Sequence, residues 1–474
     1  MEIATETERK YDVPETFELP ELAGAAGIAG VGDAEIHDLD ATYFDTADLR
    51  LMKNRRTLRR RTGGHDAGWH LKTPGDGSGR TEHRVSGESA TPPDELLDLV
   101  RVIVRRHPVT PVARLCTHRV ETPLRDADGR TLALIAQDQV RAESDGEQTS
   151  WQEVEVELVD GDIAVLDAVE RALLDAGARP AEGPSKVARA LAGRLAAAQQ
   201  EKTKGKINPV FRYAREQRDA ILERDPAARR GEEEGVHKMR VATRRLRSTL
   251  KTYKRWFPEN QVGDELRWLA HTLGAVRDPQ VLEEKLLAGV ADSGPEFEPA
   301  AQRIKSGLEH RVAQGREELA EALGSDRYLD LLDRIDELVD QPTSAGNPAK
   351  RTRKAVRKAD DELDAALAGG VDEEIHEARK SYKKARYAVE VIAPEVGKPA
   401  KRLVKALTAL QDGLGAHQDS TVAREVLREL GSDSFHFGVL YGRQEQVGKE
   451  TLAAVPALVR ASRRKKVRRW LAKT

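Results

Sequence analysis

Glutamates 6 and 8 and Lys10 alternate along Thr5–Val13, so in a strand all three side chains leave one face. Glu153, Glu155 and Glu157 repeat that spacing near residue 160, and between the two runs come Arg59 with Arg61, His70 with Lys72, and Glu82 with Arg84. Each pair alone reads as the solvated face of an antiparallel strand. As a set they do not, because the opposite faces make poor core: Thr7 and Arg9 back the first acids, and Leu58 and Arg60 back the arginines. If the charged faces converge inside a closed barrel, acids hold a divalent cation through hard oxygen ligands while Arg and Lys grip phosphate. Mutual neutralisation makes the burial tolerable. The chemistry such a set serves is hydrolysis of a phosphoanhydride, with one metal neutralising charge on the phosphate oxygens, bases orienting the phosphates, and a second metal or a carboxylate such as Glu157 activating water. No G-x-x-x-x-G-K-[ST] run is present, which excludes P-loop chemistry.

A second set follows helical spacing. At about 100° per residue, His237, Arg240, Arg244 and Arg247 share one arc, with Met239, Leu246, Leu250, Tyr253 and Phe257 opposite. His376, Arg379, Lys383 and Arg386 repeat the offsets, with Ala378, Ala385, Val389 and Ile392 opposite. Solvated faces mix acids at i+4, and these stripes contain none, so the expected neutraliser is an anion. A metal held by the two histidines is the weaker alternative. Leu273–Asp278 and Leu414–Asp419 align at nearly the same offset, which marks an internal duplication. The run Arg463–Arg469 reads either as a solubilising tail or as part of the same groove.

The elements that must position these residues fall into two groups. Period-two runs at Thr5–Val13, Leu39–Asp45, Thr57–Arg61, Gly68–Thr73, Thr81–Ser86, Pro111–Thr122, Thr131–Val140 and Ser150–Val159 predict eight antiparallel strands in a tunnel or barrel. Flanking helices are expected at Asp94–Arg106, Ile163–Ala176 and Ser185–Gln200. Beyond a polar linker at 201–206 all periodicity is helical, including Gly263–Val276, Val281–Ala291, Ala400–Gly413 and Thr421–Leu430. The fold class is therefore α+β and multidomain. A tunnel domain occupies 1–200, and an all-α bundle of two duplicated halves, about 207–345 and 346–474, occupies 207–474.

Composition agrees. The 474 residues are 33% charged and 39% hydrophobic, and the net charge of −2 divides into −11 for 1–200 and +9 for 201–474. Aromatics are 4%, which argues against base-stacking platforms and, with the net charge, against nucleic acid. The single Cys116 excludes a disulfide framework and fits a reducing cytoplasm. The acidic N-terminus and the lack of a long apolar run predict no signal peptide and no membrane span.

The first half resembles the CYTH family, the triphosphate tunnel metalloenzymes, over roughly 1–200. The resemblance rests on the ExExK run Glu6–Lys10, then Arg59-Arg60-Arg61, Lys72, Glu82-His83-Arg84, Asp138, the Glu-x-Glu-x-Glu strand and Ser185-Lys186. It implies a tunnel in which Glu6, Glu8, Glu155 and Glu157 carry Mg²⁺ or Mn²⁺. It places Lys10, Arg59, Arg61, Lys72, Glu82, Arg84, Arg114, Arg119, Asp138, Glu153 and Lys186 about a triphosphate, with Glu157 and Lys10 catalytic. Inorganic triphosphatases, thiamine triphosphatases and class IV adenylate cyclases are members, and inorganic triphosphate is the expected substrate. The family places Lys or Arg at alternating inward positions around 114–119, and Cys116 and His118 fall in that phase. This predicts reduced phosphate affinity and leaves a non-catalytic polyphosphate scaffold as a rival.

The second half resembles the CHAD family, the conserved-histidine α-helical domain, over roughly 207–474, through the two His-x₂-Arg-x₃-basic-x₂-Arg stripes and the Leu-Gly…Asp runs ending at Asp278 and Asp419. The resemblance implies that inorganic polyphosphate binds the two stripes. The cytoplasmic placement adds an expected association with polyphosphate granules, and protonating the histidines near their reference pKa of about 6.5 is expected to tighten binding.

Overall fold

The N-terminal alternation becomes one antiparallel sheet. In the computed structural model, which describes residues 2–74, 79–87, 89–181, 183, 185–200, 207–257, 261–291, 293–341 and 346–472, its strands are β1 (Glu2–Glu6), β2 (Glu8–Val13), β3 (Gly30–Val31), β4 (Glu35–Asp45), β5 (Thr57–Thr62), β6 (Gly68–Pro74), β7 (Arg80–Val85), β8 (Thr110–Arg125), β9 (Thr131–Ser144), β10 (Glu147–Leu158) and β11 (Arg179–Pro180). Their order is β1-β7-β6-β5-β4-β8-β9-β10-β2-β11, with β3 beside β8. β1 and β2 are consecutive in the chain yet stand near opposite ends of that order. The first pairs with β7 and the second with β10, so residues 2–13 draw the sheet round on itself into a tunnel. Closure of this kind leaves few bare edges.

Several strands exceed the lengths expected from alternation. β4 begins at Glu35, β8 extends to Arg125 and β9 to Ser144. Around the sheet lie α1 (Arg50–Lys53), α2 (Asp94–Val104), α3 (Ile163–Asp175), α4 (Lys186–Ala190) and α5 (Ala192–Gln200). The expected helix 185–200 breaks at Leu191, which is buried with Val187. Those two residues pack against Ala41, Tyr43, Leu115, Val140 and Trp151 and fill one end of the tunnel. Outside, Leu166, Val169 and Leu173 of α3 cover Val154, Val156 and Ile135.

The chain divides into two compact units, Met1–Lys204 and Gly205–Thr474, and the expected linker 201–206 lies outside the described residues. The second unit is helical: α6 (Pro209–Arg229), α7 (Glu233–Thr252), α8 (Val262–Ala291), α9 (Glu298–Gly324), α10 (Asp326–Val339), α11 (Ala349–Gly369), α12 (Asp372–Val396), α13 (Lys398–Gly431), α14 (Phe435–Arg463) and α15 (Lys465–Arg468). Successive helices α6 to α9 pack in series, and α11 to α14 repeat that series. Leu282, Leu286, Ile304 and Leu308 of one series share a core with Val426, Leu427, Phe437 and Leu440 of the other.

Two expected breaks are absent. Residues 263–276 and 281–291 form the single α8 through Pro279, and 400–413 and 421–430 form the single α13 through Gly413 and Gly415. Both helices are packed along their length on neighbours, and that burial outweighs one lost hydrogen bond or a poor propensity. The basic C-terminal run is no free tail, because Arg463 and Arg468 both pair with Asp360 of α11.

Candidate functional site

A cavity of about 380 Å³ runs inside the tunnel, and its wall carries Glu6, Glu8, Lys10, Arg59, Arg61, Lys72, Glu82, Arg84, Arg119, Glu155, Glu157 and Lys186. Acids and bases interlock there. Lys10 pairs with Glu155 and, at 3.1 Å, with Glu8; Lys72 pairs with Glu6; Arg84 with Glu82 and, at 3.3 Å, with Glu6. Arg59 stands 3.6 Å from Glu82 and donates to the Tyr43 hydroxyl at 3.4 Å.

Three carboxylates serve as supports: Glu82 on the wall, and Asp138 and Glu153, expected about the triphosphate, behind it. Asp138 accepts from Arg119 at 2.8 and 2.7 Å and lies 2.9 Å from Lys186. Glu153 meets Lys186 at 2.7 Å and accepts from the Trp151 indole at 2.6 Å. Glu82, buried, faces the His70 Nδ1 at 3.2 Å. Burial alone would raise Glu155, but Lys10, Lys186 and Arg119 hold it well below the usual carboxylate range. Burial opposes ionisation of Glu82 in the same way and is overcome by His70, Lys72 and Arg59. A buried charge network of this kind holds its members in place because removing one strands the others.

Glu157 is different. Burial, and then the charges of Glu6, Glu8 and Glu155, outweigh the opposing charge of Lys72 and push it up to about 7, and among the described residues no base lies within ion-pair distance of it. Four hard carboxylates on one wall, one of them short of positive charge, fit a divalent cation. Two more compact acid groups, Asp138–Glu153–Glu155 and Asp66–His70–Glu82, are paired with Lys186 and Arg119 and with Arg61 and Arg84, and Glu155 belongs to both the first of them and the wall.

One expected member is elsewhere. Arg114 lies on the outer face, where its Nε donates to Asp40 at 3.0 Å, and Cys116 and His118 are exposed there as well, His118 against Asp38 at 2.8 Å. The inward phase of β8 is Leu115, Thr117, Arg119 and Glu121. The two departures expected to weaken phosphate binding therefore do not face the cavity. Alternation missed His37, Tyr43, His65 and Asp66, which line it. Tyr43 stands two residues beyond Ala41 in an apolar-looking phase, His37 lies in β4 ahead of the run Leu39–Asp45, and the loop residues His65 and Asp66 carry no periodic signal.

In the helical unit the two stripes meet. α7 and α12 both begin with acids, Glu233 and Glu234 in one and Asp372, Glu373 and Glu374 in the other, which favours each helix start. Farther along, burial and the charges of Arg244, Arg379, Arg240 and Arg386 pull the Lys383 ammonium down to about 6, so bases from both helices share one space. Among the described residues no acid lies within ion-pair distance of Arg244, Arg247 or Lys383, although Asp264 partly offsets the charge of Arg247. Arg267 and His271 of α8, which the stripe pattern did not include, line the groove beside Arg240, Arg244 and Arg247. Arg386 is less free: it donates to Glu390 at 2.7 Å and to Gln411 at 2.9 Å. Burial first, then neighbouring cations, push His237 and His376 below the ordinary histidine range, so protonation near 6.5 is not the source of pH sensitivity expected from the sequence.

Comparison with known proteins follows the same division. The CYTH domain model matches residues 4–191 and the CHAD domain model residues 212–428. An uncharacterized protein of Mycobacterium tuberculosis (strain CDC 1551 / Oshkosh) is 37% identical over 497 residues, covering 96% of each chain. Among solved structures, PptA from Streptomyces chartreusis is 19% identical over 54% of this chain and 99% of its own, with a TM-score of 0.45. The CHAD domain from the plant Ricinus communis is 25% identical over 56% of this chain and 91% of its own, with a TM-score of 0.41. With an N-terminal tunnel matched by one model, a helical bundle matched by the other and a full-length relative of the same extent, the chain belongs to the family of proteins that join a CYTH domain to a CHAD domain.

Proposed function

We propose that the tunnel is a divalent-metal-dependent triphosphatase, that inorganic triphosphate is its substrate, and that the helical unit binds inorganic polyphosphate. CYTH domains are triphosphatases or cyclases and depend on metal. The observation that carries the reading is the cavity itself, where Lys10, Arg59, Arg61, Lys72, Arg84, Arg119 and Lys186 face a wall of carboxylates. These seven bases, more than a single nucleotide triphosphate needs, favour an unadorned phosphate chain, although Leu39, Ala41, Leu115 and Leu134 also line the cavity.

In this reading the bases straighten and orient the three phosphates, and Glu6, Glu8, Glu155 and Glu157 are the residues that would hold Mg²⁺ or Mn²⁺. The cation supplies charge neutralisation on the phosphate oxygens. Water attacks the terminal phosphorus, the bond to the bridging oxygen breaks to release pyrophosphate, and Glu157, the wall carboxylate with no base at ion-pair distance among the described residues, takes the proton from the water. Asp138, Glu153 and Glu82 keep Lys186, Arg119 and Arg84 in register. The protein would then act in the cytoplasm, at polyphosphate granules, where the helical unit holds it beside condensed phosphate.

Phosphate release from inorganic triphosphate, thiamine triphosphate, ATP and long-chain polyphosphate, measured with Mg²⁺ or Mn²⁺, tests this. Release from inorganic triphosphate that stops in excess chelator is the expected result. Cyclic AMP formed from ATP would make the tunnel a cyclase. No product from any substrate would leave a polyphosphate scaffold, a reading that loses its main support now that Cys116 and His118 face outward.

A further inference from the structure

At the rim of the tunnel, where β4 begins, Glu35, His37 and His65 converge from the strand and from the loop between β5 and β6. His65 Nε2 lies 2.8 Å and His37 Nε2 3.7 Å from Glu35 Oε2, one donor atom of each residue lies within 4.8 Å of the others, and the two rings meet edge to face at 4.9 Å. We infer that this rim is a binding site for a borderline transition-metal ion of the Zn²⁺ class, ligated by Glu35, His37 and His65.

A surface ion pair between His65 and Glu35 accounts for only part of the arrangement. It leaves His37 Nε2 buried without a hydrogen-bond partner, and such groups are rare unless something meets them. The distances suit the ion. Ligand atoms held tetrahedrally at about 2.1 Å from Zn²⁺ stand roughly 3.4 Å apart, between the two separations observed. Two imidazoles and one carboxylate select Zn²⁺, Co²⁺ or Ni²⁺ over Mg²⁺, so the rim differs in chemistry from the all-carboxylate wall deeper in the tunnel. Three protein ligands leave a fourth position open for water.

His65 is delivered by the backbone rather than by a loosely placed loop. Gly63 and Gly64 have φ of +80° and +71°, and a Cβ at Gly63 would collide with the Asp38 carbonyl of β4, so the loop is pressed against the strand that carries the other two ligands. A bound ion would fasten that loop to β4, and with it Asp66, which pairs with Arg61 inside the cavity.

The test is metal binding by the full-length protein in saturating Mg²⁺, which fills the hard carboxylate wall first. Calorimetric titration with Zn²⁺ should give one site per chain, and Co²⁺ should develop the visible absorption of a histidine-ligated ion. His65→Ala, an exposed change that leaves the fold intact, and Glu35→Gln should each weaken Zn²⁺ by at least about tenfold and abolish the Co²⁺ band. His107→Ala, remote from the rim, should change neither. Wild-type Zn²⁺ affinity in both rim variants, or equal loss in His107→Ala, would overturn the site. Because the readout is binding, the outcome does not depend on which triphosphate the tunnel hydrolyses.

Discussion

Arg240 of α7 donates from Nη2 to Asp278 Oδ2 of α8 at 2.8 Å, and it can do so because Gly274, one turn before the acid, has no side chain in the way. Arg379 lies over Gly415 in the same manner and feels the charge of Asp419, whose carboxylate is also taken by Lys285. The duplicated Leu-Gly…Asp run is thus a duplicated seat for one arginine of each stripe. Gly415→Ala would place a Cβ 3.2 Å from Arg379 Nη2, which the flexible guanidinium can yield to, while helix propensity gains about 1 kcal/mol. The expected result is a higher melting temperature with severalfold weaker polyphosphate binding in a salt-controlled titration. Unchanged binding would mean that Arg379 does not need this seat.

Lys383 supplies the pH dependence of the groove. Its pKa falls from 10.5 in the unfolded chain to about 6 when folded. Between those values the unfolded state binds more protons, so the metal-free, ligand-free protein gains stability as pH rises from 6 toward 10 and carries the full penalty below 6. A polyanion reverses the preference and draws a proton onto Lys383. Polyphosphate affinity should therefore increase as pH is lowered from 8 to 6, and fall steeply with salt. Lys383→Met should flatten the pH profile, weaken binding and stabilise the unliganded protein at pH 6 by about 1 kcal/mol or more. A wild-type pH profile in that variant would return the effect to other groups.

Glu157 has the opposite sign. Its pKa rises from 4.5 to about 7, so between those values the folded state binds more protons and stability falls as pH increases through that window. In chelator, calorimetry from pH 5 to 8 should show this loss in the wild type and not in Glu157→Gln. Mg²⁺ or Mn²⁺ should restore the wild type at pH 8 and do little for the variant. Equal rescue of both would remove Glu157 from the ligand set.

Much of this was legible in the sequence because the decisive residues obey a period. Glu6, Glu8 and Lys10 face one cavity through their spacing of two, and Arg240, Arg244 and Arg247 one groove through spacings of three and four. The phase of β8 was not legible. Arg114, Cys116 and His118 alternate with Leu115, Thr117 and Arg119, so both faces carry a base, and the choice is made by cross-strand partners: Asp40 outside, Asp138 inside. Loop residues such as His65 and Asp66 are placed by the backbone torsions of Gly63 and Gly64, which no periodicity encodes.

Asp66 leads to the last expectation. Its carboxylate pairs with Arg61 and lies 4.0 Å from Arg84, so a loop acid occupies bases that the substrate is proposed to use. A triphosphate must displace it, and the displaced interaction subtracts from binding. Asp66→Asn keeps the shape and leaves the backbone carbonyl that meets His70 Nε2 at 2.8 Å, while the competing charge is gone. KM should drop about fivefold, equivalent to roughly 1 kcal/mol, with kcat little changed, because the acid touches neither the proposed water-activating Glu157 nor the metal wall. The same change leaves Arg61, which stands beside Arg59, without its counter-charge, so the substrate-free protein should lose about 1–3 kcal/mol of stability. Substrate should then raise the melting temperature of the variant more than that of the wild type. A KM that rises with the loss of stability would show that Asp66 positions Arg61 for the substrate instead of competing with it.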